Sequence, residues 1–195
     1  MKHKLICIVG MCGAGKSLLA DQLRESRPMA YVRFGQITMD QIALSGQTAT
    51  EQLERQIREE MRKDYGMAAY AVLNMPKIDL LLPEQDVIGD GLYSWAEYVV
   101  LREKYGEDLV VIAVFAPPVI RYARLKDRAT MHQNDAGNRF RSFTIQEAAS
   151  RDVAEIEQLE KGGPIAMANY TVLNTGTKTE VHQQLAQIIS QIWPK

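Results

Sequence analysis

Cysteine, unbalanced charge and long apolar runs are all scarce in this 195-residue sequence, and each scarcity removes a class of protein. Its two cysteines are Cys7, inside the first apolar stretch, and Cys12, just beyond it. That excludes a disulfide framework and leads us to expect a reducing compartment, the cytoplasm. Lys and Arg number 23 against 24 Asp and Glu, and the net charge of −1 offers no footprint for bulk nucleic-acid binding. No apolar run approaches the roughly 18–20 residues of a membrane span, and the first one leads straight into glycines. Neither membrane association nor a signal peptide is expected. Low-complexity tails and internal repeats are absent too. What remains, 46% hydrophobic and 24% charged, is the composition of one globular domain with a substantial core and room for a lid or insertion.

The informative stretch is "IVGMCGAGKSLLA", residues 8–20. Gly10, Gly15, Lys16 and Ser17 satisfy G-x-x-x-x-G-K-[ST], and Gly13 adds backbone freedom inside the loop. Such a loop turns its amides inward around a phosphate chain, so Met11, Cys12, Ala14 and Leu18 count with the motif residues as nucleotide-binding. Lys16 is expected to reach the β- and γ-phosphates of ATP, and Ser17 to ligate Mg²⁺. The flanks agree. "KLICIV" suits a buried parallel strand, and Leu19 and Leu23 sit four apart on a following helix. Strand, loop and helix N-terminus thus stand in the order that binds an anion. A dinucleotide fingerprint fits poorly, because "GAGKSL" lacks the third glycine and no acid ends the next strand.

Along the chain, strands and helices alternate. "MAYVRF", "DVIGDG", "DLVVIAVFA" and "NYTVLN" read as four further strands, making five. Residues 36–82 hold no convincing strand but a polar helix ("ATEQLERQIREEMRKDYG") and an apolar helical piece that Pro76 is expected to interrupt. Ser94 reads as the cap of a helix that Gly106 stops, prolines 117 and 118 open another, and Thr144 with Glu147 forms a capping box. The pattern predicts an α/β fold, a doubly wound parallel sheet with helices on both faces. The polar segment 129–142, with Gly137 as a hinge, is expected to be a lid.

Two further groups belong with the loop. Asp90 ends an apolar strand and precedes Gly91, the place from which a second carboxylate reaches Mg²⁺. Arg121, Arg124 and Arg128 follow helical spacing, so their guanidinium groups are expected on one face. With Arg139, Arg141 and Arg151 they form a basic set suited to the charge that spreads over a phosphoryl group in transfer.

These pieces resemble the P-loop nucleotide and nucleoside monophosphate kinases along nearly the whole chain: "GMCGAGKS", "VIGDG" before a helix, and "ARLKDR" before a polar lid. The close, "ANYTVLNTGTKTEVHQQL", is similar to that of dephospho-CoA kinases, which implies that Asn174 and Gly176 lie near the adenine of ATP. "MRKDYGMAA" adds a likeness to an uncharacterised, mainly archaeal group described as similar to dephospho-CoA and adenylate kinases. The resemblance implies a P-loop three-layer α/β/α fold with a helical acceptor-side insertion at 36–82. It also implies an ATP-dependent kinase acting on a nucleotide-like or nucleoside-like acceptor.

Departures fall on the acceptor half. Adenylate kinases place an arginine soon after the Asp-Gly pair, whereas here "LYSW" follows; Gly35 precedes Gln36 rather than an aspartate, and no acidic pair follows strand two. Arg33, Arg55, Arg58 and Arg62 are the available acceptor contacts, with Arg62 first because it sits where the resemblance places a basic residue. A regulatory nucleotide-binding NTPase is the alternative. It lacks support from a guanine-reading Asn-Lys-x-Asp or from a strand ending in adjacent acids, neither of which occurs.

Overall fold

A computed structural model describes residues 3–131 and 143–194, except the side chains at 51 and 128–131. The five strands are β1 (Leu5–Val9), β2 (Ala30–Arg33), β3 (Val87–Asp90), β4 (Leu109–Phe115) and β5 (Tyr170–Leu173). They pair in parallel throughout, in the order β2-β3-β1-β4-β5. All five residues of β1 are fully buried, as a central parallel strand covered on both faces must be. Each large apolar side chain buried there contributes about 1.5–3 kcal/mol.

Alternation along β1 divides the core. Leu5, Cys7 and Val9 pack on one face with Val87 and Val111, under Tyr70, Ala71 and Ile78 of α4 (Ala69–Leu81) and Tyr98 and Leu101 of α5 (Trp95–Tyr105). Ile6 and Ile8 pack on the other with Ile88, Ile112 and Val172. That second layer is closed by Leu19 and Leu23 of α1 (Lys16–Ser26) and by Val181, Leu185 and Ile188 of α9 (Lys178–Ile192). The molecule is thus a three-layer α/β/α P-loop fold. Its chain reverses beside β1, opening a crevice at the carboxyl ends of the strands.

Residues 36–81 form α2 (Gln36–Ser45), α3 (Glu51–Tyr65) and α4. Thr50 caps α3 through Leu53 N at 3.2 Å, and Ile57 and Met61 turn its apolar side to the core. Pro76 does not interrupt α4, contrary to the reading from sequence. The carbonyl its missing N–H would have bonded belongs to Val72, on an exposed side of the helix that water can reach. Further along the chain α6 (Pro118–Met131) packs on α7 (Ile145–Glu157), and the short α8 (Gly162–Ala166), not foreseen, lies against α5. Among the described residues no helix is long and apolar enough to cross a membrane.

Candidate functional site

The loop between β1 and α1 is shaped by what stands behind it. Gly15 has φ +108, and a Cβ there would lie 2.2 Å from Asn174 Nδ2; at Gly13, φ +81, it would lie 2.8 Å from the Arg121 carbonyl oxygen. Only glycine meets both demands. Ala14 N donates to Met11 O at 3.1 Å and closes the turn. No side chain caps the N-terminus of α1 and no acid stands in its first turn, so its leading amides face the crevice uncommitted. Lys16 Nζ folds onto the loop's own carbonyls, donating to Gly10 O at 2.8 Å and Met11 O at 3.2 Å. Burial first, and then the charge of Lys161, pull its pKa down to about 8. A glycine-shaped loop closed over a lysine, ahead of a helix N-terminus that no side chain caps, fits a phosphate chain.

Asn174 and Arg121 brace this loop. Asn174 is buried at the end of β5, donates through Nδ2 to Ala14 O at 2.8 Å and, through its amide, to Phe115 O at 2.8 Å. Arg124 Nη2 donates to Asn174 Oδ1 at 3.2 Å, while Arg124 Nη1 is buried without a partner. Arg121 donates to Ala116 O at 2.9 Å and Cys12 O at 3.0 Å, and forks onto Asp152 of α7 at 2.9 and 2.6 Å. Of the arginines expected on one face, Arg121 and Arg124 take different partners. Arg121 is a buried brace, whereas Arg124 retains a nitrogen for another group. The Arg128 side chain, Arg139, Arg141, Gly137 and the expected lid beyond Met131 lie outside the described residues. Gly176 sits in the turn before α9, where a Cβ would meet Glu180 Oε2 at 2.0 Å; that carboxylate completes a capping box with Thr177.

Asp90 ends β3, in register with Ile8 of β1 and Arg33 of β2. Tyr31 donates its hydroxyl to Asp90 Oδ2, which orients the carboxylate beside the loop. After it, Gly91 takes φ +102 with the Tyr93 ring on the spot a Cβ would fill, at 2.8–2.9 Å. Burial and then the charge of Asp90 push the Tyr93 hydroxyl up. The loop ends in a capping box: Glu97 N donates to Ser94 Oγ at 3.1 Å, and Glu97 Oε2 accepts from Tyr93 N at 2.7 Å and Ser94 N at 3.2 Å. Burial drives the Glu97 carboxyl up to about 7, and its Oε1 is buried without a partner. Ser17 and the free oxygen of Asp90 are hard ligands of the kind Mg²⁺ takes, one or two from protein and the rest from phosphate and water, so the residues fit that ion.

The expected acceptor arginines separate into two kinds. Arg58 pairs with the buried Glu54 at 3.4 Å, and Arg55 with Glu59 at 2.8 Å on the solvent side of α3. Arg62 turns inward: its guanidinium lies 5.6 Å from the Tyr70 ring centroid, its Nε is buried without a partner, and its charge acts on Glu97. Arg33 is half-buried at the end of β2.

Sequence reading named Arg151 only within the basic set and missed Tyr31, Glu155 and Lys161. Arg151 Nε donates to Glu155 Oε1 at 3.0 Å, and Lys161 Nζ to Glu155 Oε2 at 2.7 Å. Lys161 is 1% exposed and its Nζ stands 5.2 Å from the Tyr93 ring centroid. Burial alone would raise Glu155; the charges of Lys161, Arg151 and Lys16 outweigh it and bring the carboxyl down to about 2. The Arg151–Glu155 spacing of i,i+4 was a visible signal, whereas Lys161 lies beyond the helix end where periodicity says nothing.

The pattern of the AAA domain family matches residues 6–146. A UPF0200 protein of Thermococcus onnurineus is 28% identical over 190 residues, 96% of this chain and 97% of its own length. In fold, the chain is similar to a shikimate kinase from Acinetobacter baumannii, with TM-score 0.59, 14% identity and coverage of 99% and 96% of the two chains. It is also similar to a gluconokinase from Sinorhizobium meliloti, with TM-score 0.56, 14% identity and coverage of 97% and 95%. At such identities these likenesses establish a P-loop kinase-like fold.

Proposed function

The chain belongs to the AAA domain family, and we propose that it is an ATP-dependent small-molecule kinase, transferring the γ-phosphoryl group to a nucleotide-like or nucleoside-like acceptor. The observation that carries this reading is the convergence on one crevice of an uncapped helix N-terminus, the Lys16 ammonium and, at the end of the adjacent strand, the Asp90 carboxylate. Residues 10–18 hold the phosphates of ATP through backbone amides. Lys16 leaves the Gly10 and Met11 carbonyls for the β- and γ-phosphates, a contact that strengthens as charge moves in the transition state. The turn containing Asn174 and Gly176 borders the adenine.

Ser17 and Asp90 hold Mg²⁺, which when bound neutralises phosphate oxygens. Arg124, Arg128 and Arg151 bring positive charge to the transferring group, and segment 129–142 acts as the lid that excludes water. On the acceptor side Arg62 and Arg33 are the primary contacts, with Arg58 at the outer edge, where it must leave Glu54 to take part. Asp90 orients an acceptor hydroxyl where there is one. A cytoplasmic setting suits this activity.

The test is ADP release, coupled to a dye, across nucleoside monophosphates, nucleosides and dephospho-CoA. Acceptor-dependent release that Lys16→Ala abolishes, with circular dichroism unchanged, is the expected result. Release that no acceptor accelerates, but that Lys16→Ala still abolishes, would instead identify a regulatory NTPase.

A further inference from the structure

Beside the phosphate loop stands a buried charge group in which only Arg151 has been given a part. Glu155 accepts from two cations at once, Arg151 Nε at 3.0 Å and Lys161 Nζ at 2.7 Å. The two differ in placement. Lys161 is sealed from solvent in the turn before α8, packed near the Tyr93 ring. Arg151 is half-buried, its guanidinium 5.3 Å from the Phe143 ring centroid, and it precedes Asp152, whose partner Arg121 reaches the Cys12 carbonyl of the loop. With Nε committed to Glu155, the two Nη nitrogens are the part of Arg151 that can fork onto phosphate oxygens.

A buried ion pair adds little net stability, since desolvation offsets most of the attraction. Without Lys161, however, Glu155 would be a lone buried anion drawn toward the nearest cations, Arg151 and Lys16. With it, the carboxylate has a fixed partner that is itself sealed from solvent. We infer that Lys161 and Glu155 are positioning residues: Lys161 anchors the Glu155 carboxylate, and Glu155 aims the terminal nitrogens of Arg151 at the phosphoryl group in transit above Lys16.

The inference rests on the phosphotransfer reading above. In that reaction the bond from Pγ to the β–γ bridging oxygen breaks and one from an acceptor oxygen to Pγ forms; the trio moves no proton and supplies only placed charge.

The full chain can be tested with MgADP, and with MgADP plus aluminium fluoride as a mimic of the planar phosphoryl group, by calorimetric titration. Arg151→Ala, Lys161→Met and the double variant should bind MgADP within about twofold of wild type. The affinity gain brought by aluminium fluoride should fall at least tenfold in each single variant, and no further in the double, because both act through one arginine. A merely structural lysine would lower thermal stability without touching that gain.

Since Lys161→Met leaves Glu155 unpaired and risks misfolding, Glu155→Leu/Lys161→Met removes both charges together. It should fold and show the same tenfold loss. A wild-type gain in that variant, or additive losses in the Arg151/Lys161 double, overturns the positioning role. Failure of wild type to bind MgADP at all overturns the kinase reading itself.

Discussion

Lys16 is where stability and binding pull apart. In the unliganded protein burial holds its pKa near 8, with the like charge of Lys161 adding to the effect. Below about pH 8 the ammonium is charged, and above it the side chain increasingly is not. Bound phosphate favours the charged form, so MgATP affinity should be flat below pH 8 and weaken by up to about tenfold per unit above it. Calorimetry across pH 6.5–9.5 should show proton uptake on binding only at the alkaline end, and Lys16→Met should bind weakly without that slope. The same depressed pKa means the folded state resists protonating this lysine. Its cost to stability is full below about pH 8 and fades toward 10.5, the ordinary value for a lysine. Lys16→Met should therefore raise the melting temperature of the unliganded protein at pH 7, about 2–4 °C for each kcal/mol recovered. Lys16 and the loop glycines were legible because a backbone cradle constrains residue types at fixed spacing. Tyr31, which orients Asp90, was not, since a tyrosine in an apolar strand looks like any core residue.

The N-terminus of α5 joins a cap to a buried charge. Glu97 answers Ser94 in a capping box, yet it is fully buried, with a pKa raised from 4.5 to about 7. For a raised carboxyl the stability it lends is present below the unfolded pKa and is lost as pH climbs through the folded one. Wild type should therefore lose stability between about pH 4.5 and 7 on its account. Glu97→Gln keeps an acceptor for the Tyr93 and Ser94 amides and cannot ionise. Melting curves should show that window flattened and the variant at least as stable as wild type at pH 8; a marked loss there would mean the charge itself is needed. The pairing of α6 with α7 gives a second expectation. Asp152→Ala strands the buried Arg121 guanidinium, a loss of about 3–5 kcal/mol in urea unfolding. Replacing both, Arg121→Met/Asp152→Leu, should recover most of the stability but not the brace on the Cys12 carbonyl, so nucleotide affinity should stay low.

Across the whole molecule, the loop at one end of the chain is tied to the strand at the other. Asn174 holds the Ala14 carbonyl 160 residues away and fills the space that makes Gly15 obligatory. Asn174→Ala removes the donor and leaves a buried carbonyl unsatisfied, at a cost of about 1–3 kcal/mol. It should also loosen the loop: amide exchange over residues 10–17 should quicken and MgADP affinity fall, while the core amides of β1 and β4 keep their protection in proportion to global stability. Unchanged exchange in the loop would make Asn174 a neighbour of the nucleotide only.

The order of layers was readable in advance because it follows from local rules. A fully apolar run such as "LICIV" must be covered on both faces, and parallel strands need crossover helices, so the five-stranded fold and the phosphate loop appear from spacing alone. Pairings of charge did not. Arg121 and Arg124 are the same residue type with the same reach; only the packing of α6 against α7 and β5 sends the first to Asp152 and the second to Asn174. Lys161 and Glu155 lie across a helix end, where no period connects them. A long side chain chooses its partner by where the backbone brings that partner and by how much water is left between them, and both are settled only when the layers close.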